Sequence, residues 1–361
     1  MKKICILSTV NLKHMTLVSL YTEFLDKNNI PYDLIYIDKY NAEENNNAKN
    51  VYKYNLNINK KWPFFRKLIS YWGFKKFAKK ILLKNKYDFI MSWNIFTAFM
   101  FSNILKKHFN KKYCLNIRDI YFQNNPIVKF KLKSAVYSSA FSTLSSEGFK
   151  RYLPAFDYVI IHSMNMKVLA DSAPHTKLKD TEGPINITYI GYMSLYDNCY
   201  KLIDCLGNDS RFKLNFYGQG SELIVNYAKE KKINNVFCSG RFEPYETAGL
   251  IQDADIIYNL YGVGEVNLDT ALSIKLYYAT YLNVPILVFK NTYMEEISCK
   301  YGFGYAIEKD GFNDLGDNLY NWYHKLNQDE IHDNCEEFKK VILKSHRKLD
   351  LLMNKLFIEG D

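Results

Sequence analysis

The sequence predicts an α/β chain built as two doubly wound parallel-sheet, Rossmann-like domains facing a central cleft, and three observations carry that expectation. Short apolar runs alternate with helix-length amphipathic segments from end to end, which is the pattern of βαβ units. At 361 residues the chain is long for one core and comfortable for two of about 150 to 200 residues each. Charge is divided as well: residues 1–184 hold 30 Lys and Arg against 13 Asp and Glu, while residues 185–361 hold 18 against 25.

In the first half the apolar runs predict strands at Ile4 to Thr9, Asp33 to Ile37, Phe89 to Trp93, Tyr113 to Ile117 and Tyr158 to His162. In the second half they predict Ile187 to Ile190, Leu214 to Tyr217, Val236 to Ser239, Ile256 to Asn259 and Ile286 to Phe289. The apolar pattern breaks over Asp171 to Pro184, so the join is expected there, giving domains 1–184 and 185–361. Asn41 to Asn50, with three consecutive asparagines, reads as a surface loop, and Asp329 to Ile358 as one or two helices.

No run of 18 or more apolar residues occurs, so no membrane-spanning helix is expected. The apolar start Ile4 to Leu7 ends by Asn11 without a small-residue cleavage site and reads as a buried strand rather than a signal peptide. Seven dispersed cysteines without a C-x-x-C pair point to reduced thiols in the cytoplasm, not to a disulfide framework or a zinc site.

The most telling stretch is 269–289. It reads as a short helix opening on Thr270 and Ser273, with Lys275 in its first turn, leading through Asn283 and Pro285 into a buried strand. Amide N–H groups at a helix start, with hydroxyls and a lysine beside them, suit a diphosphate. Lys275 is placed to neutralise the β-phosphate of a nucleotide-sugar as the leaving group departs. Gly191, Gly218 and Gly220 lie at strand ends where backbone can approach a nucleotide, Arg241 follows another strand end, and Tyr192 and Tyr217 stand beside those glycines. Asp269 reads as an N-cap of the helix or a contact to the donor sugar. Asp253-Ala-Asp255 matches the D-x-D of a metal clamp, but it sits between a helix end and a strand and reads as capping, so no metal or other cofactor is expected.

Several of these segments, in this order, resemble the donor domain of GT-B glycosyltransferases. Ile187-Thr-Tyr-Ile-Gly191 is similar to its first strand and glycine turn, Leu214-Asn-Phe-Tyr-Gly218-Gln-Gly220 to its second, and Asn235-Val-Phe-Cys-Ser-Gly240-Arg241 to its third. Asp253-Ala-Asp255-Ile-Ile-Tyr resembles the strand before the donor loop. Ser273-Ile-Lys275-Leu-Tyr-Tyr-Ala279 with Val284-Pro285-Ile-Leu-Val resembles the phosphate-helix run. In the first half, Asn116-Ile-Arg118-Asp119 and Ser146-Glu-Gly148-Phe149 resemble segments of bacterial transferases that build capsule or lipopolysaccharide repeat units.

The chain also departs from the family-4 pattern. Tyr278 stands where an acid that holds the donor is usual, Tyr192 where an arginine is usual, and Val10-Asn-Leu-Lys-His14 where a Gly-Gly loop is usual. The run is closer to galactofuranosyltransferase-like enzymes, and retention or inversion stays open.

The resemblance implies a sugar transferred from a nucleotide diphosphate, UDP by preference, to a lipid-linked or surface-polysaccharide glycan, in capsule or lipopolysaccharide assembly. The second domain would take the donor and the first the acceptor, with the last helix returning to the first domain. An inverting enzyme needs a general base there, and Asp119 and His162, each at a strand end, are the candidates. His14, Arg118 and Glu147 fall on the acceptor side. A non-catalytic GT-B-shaped accessory subunit is the alternative, motivated by Tyr278.

Residues 60–86 hold ten basic side chains and no acid. Phe65, Leu68, Ile69 and Trp72 share one helical face, and Phe74, Phe77, Ala78 and Ile81 another. The spacing fits either docking on an anionic membrane, which would make the protein peripheral on the inner face of a bacterial plasma membrane, or an apolar stripe packed inward beneath solvated lysines. No nucleic-acid-binding signature is present, so nucleic acid is not an expected partner. A homo-oligomer is left open.

Overall fold

The computed structural model describes residues 2–41, 43–56, 64–121, 124–180 and 182–359, with side chains described from residue 69 onward in the helix Phe64–Asn85. Lys60, Lys61 and Trp62 of the basic stretch, and the side chains of Phe64, Phe65, Arg66, Lys67 and Leu68, lie outside the described residues. Contacts divide the chain into two compact units, Met1–His162 with Ser345–Asp361, and Ser163–Lys344.

The first unit is a seven-stranded parallel sheet. Its strands are β1 (Ile4–Ser8), β2 (Tyr32–Asp38), β3 (Asn50–Asn55), β4 (Phe89–Trp93), β5 (Tyr113–Ile117), β6 (Phe141–Leu144) and β7 (Val159–Ile160), in the order β3-β2-β1-β4-β5-β6-β7. β1, β2, β4 and β5 are buried along their whole length, as expected of strands covered by helices on both faces. Their order reverses between β1 and β4, and that switch point opens a crevice at the carboxyl ends of the strands.

The second unit repeats the plan with six parallel strands. These are β8 (Ile185–Ile190), β9 (Phe212–Tyr217), β10 (Val236–Ser239), β11 (Ile256–Asn259), β12 (Ile286–Phe289) and β13 (Gly304–Ile307), in the order β10-β9-β8-β11-β12-β13. Here the order reverses between β8 and β11.

Three strands were not legible as apolar runs. β3 is a polar edge strand, Asn-Val-Tyr-Lys-Tyr-Asn, added beside β2 directly after the asparagine-rich loop. β6 and β13 have only four residues each, interrupted by Ser, Thr or Gly. Pairing with a neighbour, not their own pattern, makes them strands.

Residues 163–184, read above as the end of the first domain, pack with the second unit. Met164 and Leu169 are buried in its core beside Leu276, Tyr277 and Ile286. The helix Gln328–Asn354 supplies Ile331, Cys335, Phe338 and Ile342 to the second core, and Leu349 and Met353 to the first.

In the helix Phe64–Asn85 the two apolar faces part company. Phe74, Ala78 and Leu82 are fully buried, and Phe74 meets Phe101 edge-on at 5.7 Å. Gly73 permits this packing, because a Cβ there would lie 2.2 Å from the Tyr54 hydroxyl of β3. Ile69 and Trp72 point outward, 71% and 57% exposed. No helix among the described residues is long and apolar enough to cross a membrane, and all seven cysteines are free thiols.

Candidate functional site

At the switch point of the second sheet, β8 is followed by Gly191 and β9 by Gly218, and Tyr261 lies two residues beyond β11. Gly191 has φ +121° and Gly218 φ +141°, both in the region that favours glycine. A Cβ on Gly218 would sit 1.9 Å from the Gly191 carbonyl oxygen, so the two turns touch backbone to backbone and only glycine fits. Gly220, at φ +98°, precedes the helix Ser221–Glu230, and a Cβ there would meet the Tyr196 hydroxyl at 2.4 Å.

The helix Ile274–Leu282 faces these turns. Ser273 caps it, its hydroxyl accepting the Lys275 amide at 3.3 Å, and the chain leaves through Asn283 in the left-handed region before Pro285. Asn283 is fixed in turn by His332 at 2.9 Å and Lys339 at 3.1 Å.

Lys275 is 1% exposed. Its ammonium lies 4.4 Å from the ring centre of Tyr189 and 4.3 Å from that of Tyr261, and donates to the Tyr261 hydroxyl at 2.7 Å. It stands 3.9 Å from where a Cβ on Gly191 would lie. No carboxylate pairs with it among the described residues. Burial by itself raises the Tyr261 phenol, but the adjacent ammonium outweighs that and holds it below the ordinary tyrosine value. An ammonium held by aromatic faces and a phenol, with no carboxylate paired to it among the described residues, has its Coulomb attraction open to an anionic ligand.

Sequence reasoning did not single out Tyr189 or Tyr261. The available signal was positional: Tyr261 follows the carboxyl end of β11, the edge where ligands of such sheets bind.

The other donor-side candidates are more scattered. Thr270 does not open the helix Ile274–Leu282. It closes a separate short helix, Val266–Thr270, and its hydroxyl donates to the Val266 carbonyl. Asp269 lies in that same short helix and accepts the Gly264 amide at 2.9 Å, so it does not cap the Lys275 helix. Arg241 is exposed and pairs with Glu243 at 3.2 Å.

Tyr192 is exposed, and its carbonyl accepts the Tyr189 hydroxyl at 2.7 Å. Tyr217 is half-buried against the core and its carbonyl accepts the Gly191 amide at 2.9 Å. Tyr278 is buried in the core, where burial pushes its phenol up to about 12. Asp255 accepts the Asn186 amide at 2.8 Å and its side-chain nitrogen at 2.9 Å, tying β8 to β11 rather than capping a helix.

The first unit has its own cavity at its switch point, of about 190 Å³. Thr9, Trp93 and Asn94 line it from the ends of β1 and β4, and Arg118 and Asp119 from the end of β5, with His14, Tyr71 and Phe96 around them. Among the described residues Asp119 is the one acid on its wall. Burial raises its carboxyl above the usual range, against the opposing charge of Arg118.

Arg118 has structural duties here, donating to the carbonyls of Ile161 at 3.2 Å and Thr16 at 2.8 Å. His14 shares a hydrogen bond of 2.9 Å with Tyr40, and burial together with Lys13 and Lys39 holds its imidazole below 6.5. His162 does not line this cavity. It is buried, with its carbonyl accepting from His346 at 2.9 Å, and its imidazole is depressed to about 4 by burial and then by His346. Glu147 is exposed and paired with Lys150.

No protein-family model matches the sequence, and no curated protein matches it. Solved structures do resemble it in shape. Sucrose-phosphate synthase from Thermosynechococcus elongatus matches at TM-score 0.73 with 11% identity, over 100% of both chains. Anabaena HepE in complex with UDP matches at TM-score 0.69 with 10% identity, over 98% of this chain and 100% of that one. The lipopolysaccharide outer core galactosyltransferase WaaB matches at TM-score 0.65 with 13% identity, over 98% and 100%. With two all-parallel Rossmann-like sheets and this likeness along its whole length, the chain has the GT-B glycosyltransferase fold.

Proposed function

We propose that the protein is a glycosyltransferase that moves a sugar from a nucleoside diphosphate, UDP by preference, to a lipid-linked or surface-polysaccharide glycan. The observation that carries this reading is Lys275: a buried ammonium without a carboxylate partner among the described residues, beside two glycine turns and a helix start, at a sheet switch point. A β-phosphate oxygen takes over from the Tyr261 phenol as the partner of that ammonium. As the glycosidic bond breaks, charge grows on the leaving diphosphate, and Lys275 with the Ile274–Leu282 helix start stabilises it there. This role for Lys275 requires no metal.

Asp119 serves as the general base for the acceptor hydroxyl if the reaction inverts. A carboxyl raised toward neutrality is a better proton acceptor than an ordinary one, and the aromatic walls Tyr71, Trp93 and Phe96 suit a sugar ring. HepE in complex with UDP and WaaB, a lipopolysaccharide outer core galactosyltransferase, support the donor and acceptor classes by analogy of fold. The outward Ile69 and Trp72, with Lys75 and Lys76 beside them, support peripheral docking on the anionic cytoplasmic face of a membrane.

Thermal unfolding with UDP and UDP-sugars tests the donor site. Saturating nucleotide at about 100 times Kd stabilises a one-site protein by about 2.7 kcal/mol. No shift with any nucleotide diphosphate would defeat the reading. A second reading, a non-catalytic accessory subunit, draws on Tyr278 being sunk in the core where an acid would be expected to face the donor. UDP release from a donor that stabilises the protein separates the two, because only an enzyme turns it over.

A further inference from the structure

A second, larger cavity of about 330 Å³ lies in the first unit, between the helix Pro126–Ser138 and residues 151–154. Its walls combine two chemistries. Val128 and Leu132 are apolar, whereas Lys129, Lys133 and Arg151 are cationic, and among the described residues no carboxylate lines it. The sequence around it matches, for residues 120–146 contain three lysines and not one acid. Tyr121 stands in the wall of this cavity and of the smaller one that holds Asp119, so the two are neighbours.

Ile120, Tyr121, Val128, Leu132, Leu153 and Pro154 give the hollow an apolar wall beside its cations. A cationic, partly apolar hollow fits one kind of ligand, a phosphate ester at the head of a hydrocarbon chain. The phosphate meets Lys129, Lys133 and Arg151, and the first carbons of the chain lie against Val128 and Leu132.

We propose that this cavity holds the phosphate-bearing lipid anchor of the acceptor, placing the attached glycan in the adjoining cavity beside Asp119. The inference rests on the acceptor class proposed above and gives that acceptor a place in the fold. It is independent of the 64–85 helix and of the donor site.

The test is titration of the full chain with n-decyl phosphate below its micellar concentration, with n-decanol and inorganic phosphate as controls. Decyl phosphate should bind saturably, about tenfold or more tighter than either control. The double variant Lys129→Glu/Lys133→Glu should weaken it by at least about tenfold. Equal binding of inorganic phosphate would make the cavity a simple anion site and overturn the proposal, as would unchanged decyl phosphate binding in the double variant. UDP stabilisation of the same variant shows that it is folded, and its loss from wild type would instead mark failure of the donor reading. Val128→Ser offers a milder check: it should weaken decyl phosphate while leaving inorganic phosphate unchanged, and equal losses for both ligands, or none, would count against the anchor.

Discussion

The ammonium of Lys275 and the phenol of Tyr261 lie 2.7 Å apart at the carboxyl edge of the second sheet, and the cation sets the state of the phenol. The phenol is held below its ordinary value by the cation, and the cation is buried with no carboxylate paired to it among the described residues. Such an arrangement is costly in the empty protein and suited to a diphosphate.

Replacing Lys275 with Met keeps the volume and removes the charge. Because a buried charge without a counter-charge contributes little net stability, the free variant should unfold within about 1 kcal/mol of wild type, or be more stable. Its stabilisation by UDP should disappear. Calorimetry with and without UDP measures both, and a variant that still responds to UDP like wild type would remove Lys275 from the site.

Gly218→Ala should be far more damaging than an ordinary turn substitution. Its φ of +141° excludes a side chain, and the new Cβ would lie 1.9 Å from the Gly191 carbonyl oxygen. The expected cost is about 3 kcal/mol or more, together with loss of nucleotide binding as the two turns separate. Urea unfolding gives the first number, and a cost under about 1 kcal/mol would show that the turns do not meet as described.

Asp119→Asn keeps the shape of the cavity wall and removes the proposed base. Turnover should fall by about 10² to 10⁴, with donor KM nearly unchanged. An unaltered rate would return the base to another residue.

Acid should destabilise the first unit through His162 and His346. Both imidazoles are depressed below 6.5 by burial, His162 to about 4. The unfolded chain takes up these protons near pH 6.5 and the folded chain only at lower pH, so their contribution is complete above 6.5. It falls as pH drops from 6.5 toward 4, by about 3 kcal/mol for His162. Stability of wild type and His162→Gln, measured by urea unfolding from pH 7 to pH 4, checks this. A slope identical in both would show that His162 does not titrate differently on folding.

The division between what was legible and what was not follows particular residues. Ile4 to Ser8, Phe89 to Trp93 and Ile286 to Phe289 announce themselves, because a strand buried on both faces must be apolar along its length. The edge strand Asn50–Asn55 does not, since one side of it faces solvent and only its pairing with β2 makes it a strand. Ser273 and Lys275 were visible for the same local reason, a cap and a first turn written within three residues.

By itself, then, the sequence determined the alternation of strand and helix, the doubled parallel-sheet plan, the glycine turns and the presence of a basic helix start, all of which are written in local residue pattern. Only the tertiary structure decided that Thr270 spends its hydroxyl on Val266, that Arg241 turns to Glu243, and that Tyr189 and Tyr261 enclose Lys275. It also placed Asp119, and not His162, in the cavity of the first sheet. The physical reason is that a side chain's partner and its protonation depend on what the fold brings against it. Sheet order and register set those meetings between residues far apart in sequence, and local pattern does not encode them.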